Sequence, residues 1–189
     1  MALRIHEIHP SVVHYPLALF PAAVVADVLG KLTGSRPLMR IGAALMPVAA
    51  ASAAVAAGAG LVAQEAVRTK GVSQDMLETH RNLNLTLVLA SVAMAVLRSR
   101  RQMPTAGYLA AGLAGVAAMN YTAYLGGKMV YGEGVGVEAA QGLRDGAAPE
   151  LTRRTLKEAG RTALHHASKG LRHAVEQTSK GRIAPALRR

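Results

Sequence analysis

Four apolar runs separated by short charged segments fill the chain from about residue 10 to residue 126. Each approaches the roughly 20 residues that a helix needs to cross the hydrocarbon core of a bilayer. Span one is expected from about Pro10 to Gly30, with Pro10 at the first helical position, where a missing N–H has no intrahelical role. Pro16 and Pro21 fall inside it, where neighbouring helices can satisfy the freed backbone groups. Span two, about Ile41 to Ala63, is almost wholly Ala, Gly, Val and Ser, and Ala54-x-x-x-Gly58 offers a small-residue face for close helix approach. Span three opens with Asp75-x-x-Glu78, which reads as a capping box, passes through Thr79-His80-Arg81-Asn82 and runs apolar from Leu83 to Leu97. Pro104 and Thr105 introduce span four, about Thr105 to Gly126, whose last turns carry Asn120, Tyr121, Thr122 and Tyr124. Asn120 and Thr122 read as interhelical hydrogen-bond donors.

The pattern changes after Gly126. A glycine-rich segment through Gly134-Val135-Gly136-Val137 has no preceding strand and no Lys-Ser/Thr pair, so it fits neither phosphate-loop context and reads as a tight turn against the mouth of the bundle. From Pro149 to about Thr178 a helical period returns. Leu156, Ala163, Leu164, Ala167, Leu171, Ala174 and Val175 fall on one stripe at 100° per residue, with Arg154, Arg161, His165, Lys169 and Arg172 opposite. Lys180–Arg189 reads as disordered. The predicted fold is all-α: a four-helix transmembrane bundle over residues 1–140, and a basic amphipathic, partly disordered tail over 141–189.

Charge supports that division. Residues 1–140 hold 11 Lys/Arg against 7 Asp/Glu, and residues 141–189 hold 11 against 4, so the tail carries +7 of the formal +11. With no aromatic residue for base stacking and no recognisable motif, the tail does not point to nucleic acid; anionic lipid headgroups or a partner protein suit it better. Cysteine is absent, which removes disulfides, iron–sulfur clusters and thiolate-bound zinc. No cleavable signal peptide is visible, since the first apolar run is preceded by His6, Glu7 and His9 with only Arg4 as a positive flank and no A-x-A-like site closes it. Lys31, Arg36, Arg40, Arg98, Arg100 and Arg101 flank one set of loops, and the positive-inside rule places these in the cytoplasm and both termini outside.

Two histidines carry the chemistry. His14 and His80 each sit about one turn inside the start of spans one and three, which run in the same direction, so both imidazoles should reach one membrane face at similar depth. A ring nitrogen near hydrocarbon needs a partner, and metal or haem iron between facing helices is one, with lipid headgroups, water or a neighbouring carbonyl as the plainer alternatives. His9 and His14 are five apart, too far around a helix to clamp one ion, so His6 and His9 read as surface or capping residues. Asp27 lies within a turn of the end of span one and reads as snorkelling or pairing with Lys31 or Arg40.

Several segments together resemble the bacterial membrane family called domain of unknown function 2231: His9-Pro10-Ser11-Val12-Val13-His14-Tyr15-Pro16, then Ala26-Asp27, His80, and Tyr124-Leu125-Gly126-Gly127-Lys128-Met129-Val130-Tyr131 with Gly134-Val135-Gly136-Val137. The resemblance covers about residues 6–137. It implies a four-span protein of the bacterial inner membrane, similar in layout to four-helix b-type cytochromes and sometimes fused to or near Rieske-type modules. The function it implies is haem b or metal-ion binding for electron transfer, with His14 and His80 as the axial or metal ligands and Tyr15, Tyr124 and Tyr131 lining the mouth. A histidine often precedes the GVGV segment in that family, and here the place is held by Glu133, so a site needing three histidines would lack one. The alternative is a non-catalytic membrane assembly or scaffold subunit whose tail binds anionic lipid or a redox or assembly partner, and self-association as a homo-oligomer stays open. A small permease lacks its usual signs, a broken helix pair or a mid-membrane charge.

Overall fold

Pro16 decides how the first apolar run begins. It has no N–H to donate, and its ring crowds the carbonyl of Val12, four residues earlier. The run therefore forms two helices, α1 (Ile8–Val12) and α2 (His14–Thr33), with Val13 between them. The computed structural model describes residues 4–144, 152 and 154–188. The expected tail-helix start at Pro149 lies outside these residues, as does Arg189.

Helix ends differ from the hydropathic boundaries because caps, not composition, set them. α2 continues past Gly30 to Thr33 and stops at Gly34, whose φ of +70° is the left-handed conformation that terminates helices. α3 (Arg36–Ala63) starts almost at once. α4 (Val72–Ser99) begins before the expected capping box, since the Asp75 N–H already bonds the Gly71 carbonyl at 3.1 Å. Asp75 and Glu78 are therefore helix-interior residues with other partners, described below. α5 (Ala106–Glu133) is capped by the Thr105 hydroxyl, which accepts from the Tyr108 N–H at 3.2 Å, and it runs through the Gly126–Gly127 pair. It ends where Gly134 takes φ +66° and the N–H groups of Gly134 and Val135 reach the Val130 and Met129 carbonyls. The glycine-rich segment is thus helix first and turn second. Beyond it the chain folds back, and Arg68 and Arg144 N–H groups bond Gly142 and Ala66 carbonyls at 2.9 and 2.8 Å, pairing the two loops through one antiparallel bridge, Val67 with Leu143.

The chain is all-α among the described residues and divides into two compact units, one from residues 1–11, 57–84 and 122–189, the other from 12–56 and 85–121. In the second unit α2 to α5 share one apolar core built from Phe20 and Val24, Met46 and Ala49, Leu87 and Met94, and Tyr108 and Met119. Close approach rests on small residues there: a Cβ at Gly115 would lie 2.9 Å from the Phe20 ring. The Ala54-x-x-x-Gly58 face expected to serve this purpose does not, because Gly58 has no atom within 4 Å of its Cβ position and Ala54 is exposed. Among the described residues three segments are long and apolar enough to cross a membrane: Ile5–Thr33, Arg36–Ala63 and Val72–Ser99.

The first unit contains α6 (Leu156–Ser179). Its packed face is not the whole stripe expected from the sequence. Ala159 is fully buried and clusters with Ile5 and Val62, flanked by Ile8, Ala163 and Ala167, while Gly170 and Ala174 are also buried. Leu156, Leu164, Leu171 and Val175, expected on the same stripe, are exposed. Small side chains let the helix lie close to its neighbours, and the longer ones project away. The segment after α6, expected to be disordered, forms a short helical turn at Pro185–Arg188 and is bonded to α4.

Candidate functional site

The histidines marked by the sequence fall in different units. His14 opens α2 in the second unit and is exposed, as is Tyr15. His80 lies on α4 in the first unit, which also holds Tyr124 and Tyr131; both tyrosines are exposed, Tyr131 by 92 %.

His80 is held by residues that sequence reasoning did not assign to it. Its Nδ1 donates to the Thr122 carbonyl at 2.9 Å, and because a carbonyl can only accept, Nδ1 carries a proton and Nε2 is the nitrogen that holds the lone pair when the ring is neutral. The Thr122 hydroxyl donates to Asn84 at 3.4 Å, and the Asn84 amide donates to the His80 carbonyl at 2.7 Å. Thr122 thus serves between helices as expected, whereas Asn120 bonds only the Val116 carbonyl of its own helix. The ring of His9 meets that of His80 edge to face, with centroids 6.3 Å apart. Gly60 makes room for His9, since a Cβ there would lie 3.1 Å from the imidazole. His9 was read as a surface or capping residue; its place beside His80 corrects that. Its spacing from His14 excluded one pairing and gave no hint of the other, which depends on α1 meeting α4 in space. No group of three or more His, Cys, Asp or Glu is arranged to hold a metal ion among the described residues.

Around these rings the first unit gathers charge. Glu65, almost fully buried, accepts from Lys169 at 2.8 Å and meets His173 Nδ1 at 3.1 Å, both from α6. Arg182 donates to Glu78 and to Asp75, each at 2.7 Å. Bonding to these carboxylates, Glu78 first, raises the Arg182 pKa from its ordinary value. The Asn82 amide reaches the Arg182 and Ile183 carbonyls, and Thr79 accepts from the Ala186 N–H at 2.9 Å. The polar opening of α4 is therefore a docking strip for the C-terminal segment. His166, on the inner side of α6, has its pKa lowered chiefly by desolvation.

The second unit has its own buried charge. Asp27 and Arg98 are 0 % and 1 % exposed and form a forked pair, with Nε–Oδ2 and Nη2–Oδ1 distances of 2.9 Å. Arg98 also donates to the Met39 and Arg101 carbonyls at 2.6 Å. Gly42 admits the carboxylate, because a Cβ there would lie 2.5 Å from Asp27 Cγ. The expected pairing of Asp27 with Lys31 or Arg40 is corrected: a fixed guanidinium at the end of α4 offers the bidentate fit that a surface lysine cannot. The sequence marks Arg98 only as a loop charge.

Comparison with curated proteins and with solved structures finds no match. One family model does match, over residues 5–139, and takes in α1 to α5 together with the glycine turns. The chain therefore belongs to the family described as predicted membrane protein (DUF2231).

Proposed function

We propose that the protein is a four-span subunit of the bacterial inner membrane, with α5 as the fourth span, whose C-terminal helix rests on an anionic lipid surface and so presents the first unit to assembly partners. α5 is as long as α3 and α4; its glycines, tyrosines, Asn120 and Thr122 dilute its apolar run. One observation carries the reading, the orientation of α6. Its Ala and Gly face is turned inward, whereas Leu164, Leu171 and Val175 project outward beside exposed Lys157, Arg161 and Arg172. An apolar ridge rimmed by cations suits the boundary between acyl chains and headgroups, where each cation near an anionic surface adds about 1 kcal/mol. α6 also packs against Val62, at the end of the apolar segment Arg36–Ala63, which supports a place at headgroup depth. The test uses the full chain carrying Leu164→Cys, labelled with an environment-sensitive fluorophore and reconstituted into phosphatidylcholine vesicles with or without phosphatidylglycerol. The expected result is a blue shift in the anionic vesicles that high salt reverses. Equal water exposure in both would overturn the reading.

A second reading, haem b or metal-ion binding for electron transfer, is favoured by His80 alone. A ring whose Nδ1–H is held by a carbonyl while Nε2 keeps its lone pair is arranged as metal-ligating histidines are. His80 would hold the metal, whereas His14 and Tyr15, which the resemblance sets beside it, belong to the second unit and are exposed. Protein purified in mild detergent would then show a Soret band or stoichiometric metal that His80→Ala removes. Colourless, metal-free protein would sink it.

A further inference from the structure

The loop after α3, the start of α4, Arg144 and α6 line an open cavity of about 200 Å³, all within the first unit. Liquid water occupies about 30 Å³ per molecule, so the space holds several waters or one small polyatomic ion. Its wall is not neutral. Arg81 and Arg144 line it, and the carboxylate that also lines it, Glu65, is already engaged by Lys169 and His173. Two lining residues carry a buried donor that no atom of the described residues accepts: Nη2 of Arg81 and Nε2 of Gln64. Elsewhere these side chains are engaged, Arg81 Nη1 donating to Gln64 Oε1 at 3.4 Å and Arg81 Nε donating to Asn82 at 3.1 Å. Buried donors without acceptors are rare in folded proteins and call for a partner such as a water or an ion, and two of them on residues that line a cavity with two arginines suit an acceptor with several oxygens.

We infer that this cavity is a binding site for a phosphate group, held between Arg81 and Gln64 on one side and Arg144 on the other, with Gln177 of α6 at its edge. The same chemistry is offered by free inorganic phosphate and by the headgroup of an anionic phospholipid. The inference stands on the cavity and its donors, not on the outward ridge of α6.

Its test uses the full chain in a phosphate-free, non-ionic detergent, with two probes titrated separately: inorganic phosphate, and monomeric short-chain phosphatidylglycerol. Binding is read by native mass spectrometry and by calorimetry. Saturable binding of one equivalent of either probe is expected, weakened at least tenfold by Arg144→Gln and by Arg81→Gln, and unchanged by Arg161→Gln on the outer side of α6. Arg144 is exposed, so its variant keeps the test valid if the partly buried Arg81 variant fails to fold. Saturation by phosphate identifies a free-anion site, and saturation by the lipid alone identifies a headgroup site. No stoichiometric binding of either probe, or binding that Arg144→Gln leaves intact, would overturn the inference.

Discussion

Asp27 and Arg98 show what a buried charge needs from its surroundings. Both oxygens of the carboxylate face the guanidinium, and Nη2 and Nη1 also donate to the Met39 and Arg101 carbonyls. Removing one partner leaves an unpaired charge in a closed site, which typically destabilises by about 3–5 kcal/mol. Asp27→Asn and Arg98→Met are each expected to lower thermal stability in detergent by that order. The double variant Asp27→Leu/Arg98→Met should recover much of the loss, but not all, because the two carbonyls lose their donor. Single variants as stable as the parent would refute the assignment. Gly42→Ala tests the same contact from the side: its Cβ would enter the space of the carboxylate, so it should destabilise without altering any charge. Little of this was legible beforehand. The sequence marked Asp27 as unusual because a carboxylate in an apolar run is unusual, but its partner lies 71 residues away and looked like any loop arginine. His9 escaped for the same reason. Spacing along one helix says which residues share a face and nothing about which helix that face will meet.

The helices themselves were legible, since apolar runs near the width of a bilayer have few other uses. Their ends were not, because Gly34, Gly71 and Gly134 terminate or initiate helices through backbone geometry that hydropathy does not register. α6 shows the limit best. A periodic count puts alanine and leucine on one stripe, yet packing separates them, and contact distance decides which side is inner. Two glycines in this helix turn that into a prediction of opposite signs. Gly160 is exposed, with no atom within 4 Å of its Cβ position, so Gly160→Ala should stabilise α6 by up to about 1 kcal/mol through helix propensity. A Cβ at Gly170 would lie 2.6 Å from the Leu61 carbonyl and collide with Gln64, so Gly170→Ala should loosen α6 despite the same gain in propensity. Hydrogen exchange of the α6 amides separates the two outcomes, and equal protection in both variants would contradict the packing. Arg182→Ala belongs to the same test. Loss of its bonds to Asp75 and Glu78 should speed exchange over residues 180–188 while leaving α5 unchanged.

At the scale of the whole molecule, charge pairing bears on how the protein lies in its membrane. Orientation follows the balance of cations at the two ends of the spans, and the tail, with most of the net charge, pulls against the end that carries the loops. Pairing shrinks that pull. Lys169 is matched by Glu65, and Arg182 by Asp75 and Glu78, so part of the tail's charge is neutralised by carboxylates of the body. At the other end Arg98 is matched by Asp27, which leaves Lys31, Arg36, Arg40, Arg100 and Arg101 as exposed cations there. With α5 as the fourth span, as proposed, the positive-inside rule then expects those loops in the cytoplasm and both termini outside. The chain contains no cysteine, so a single introduced thiol reports its own side without background. Thr178→Cys on α6 and Ser99→Cys at the end of α4 are both exposed positions. In intact cells a membrane-impermeant maleimide is expected to label the first and to reach the second only after permeabilisation. The reverse pattern would invert the topology and place α6 against the cytoplasmic leaflet, where its cations would meet the anionic lipids of that face.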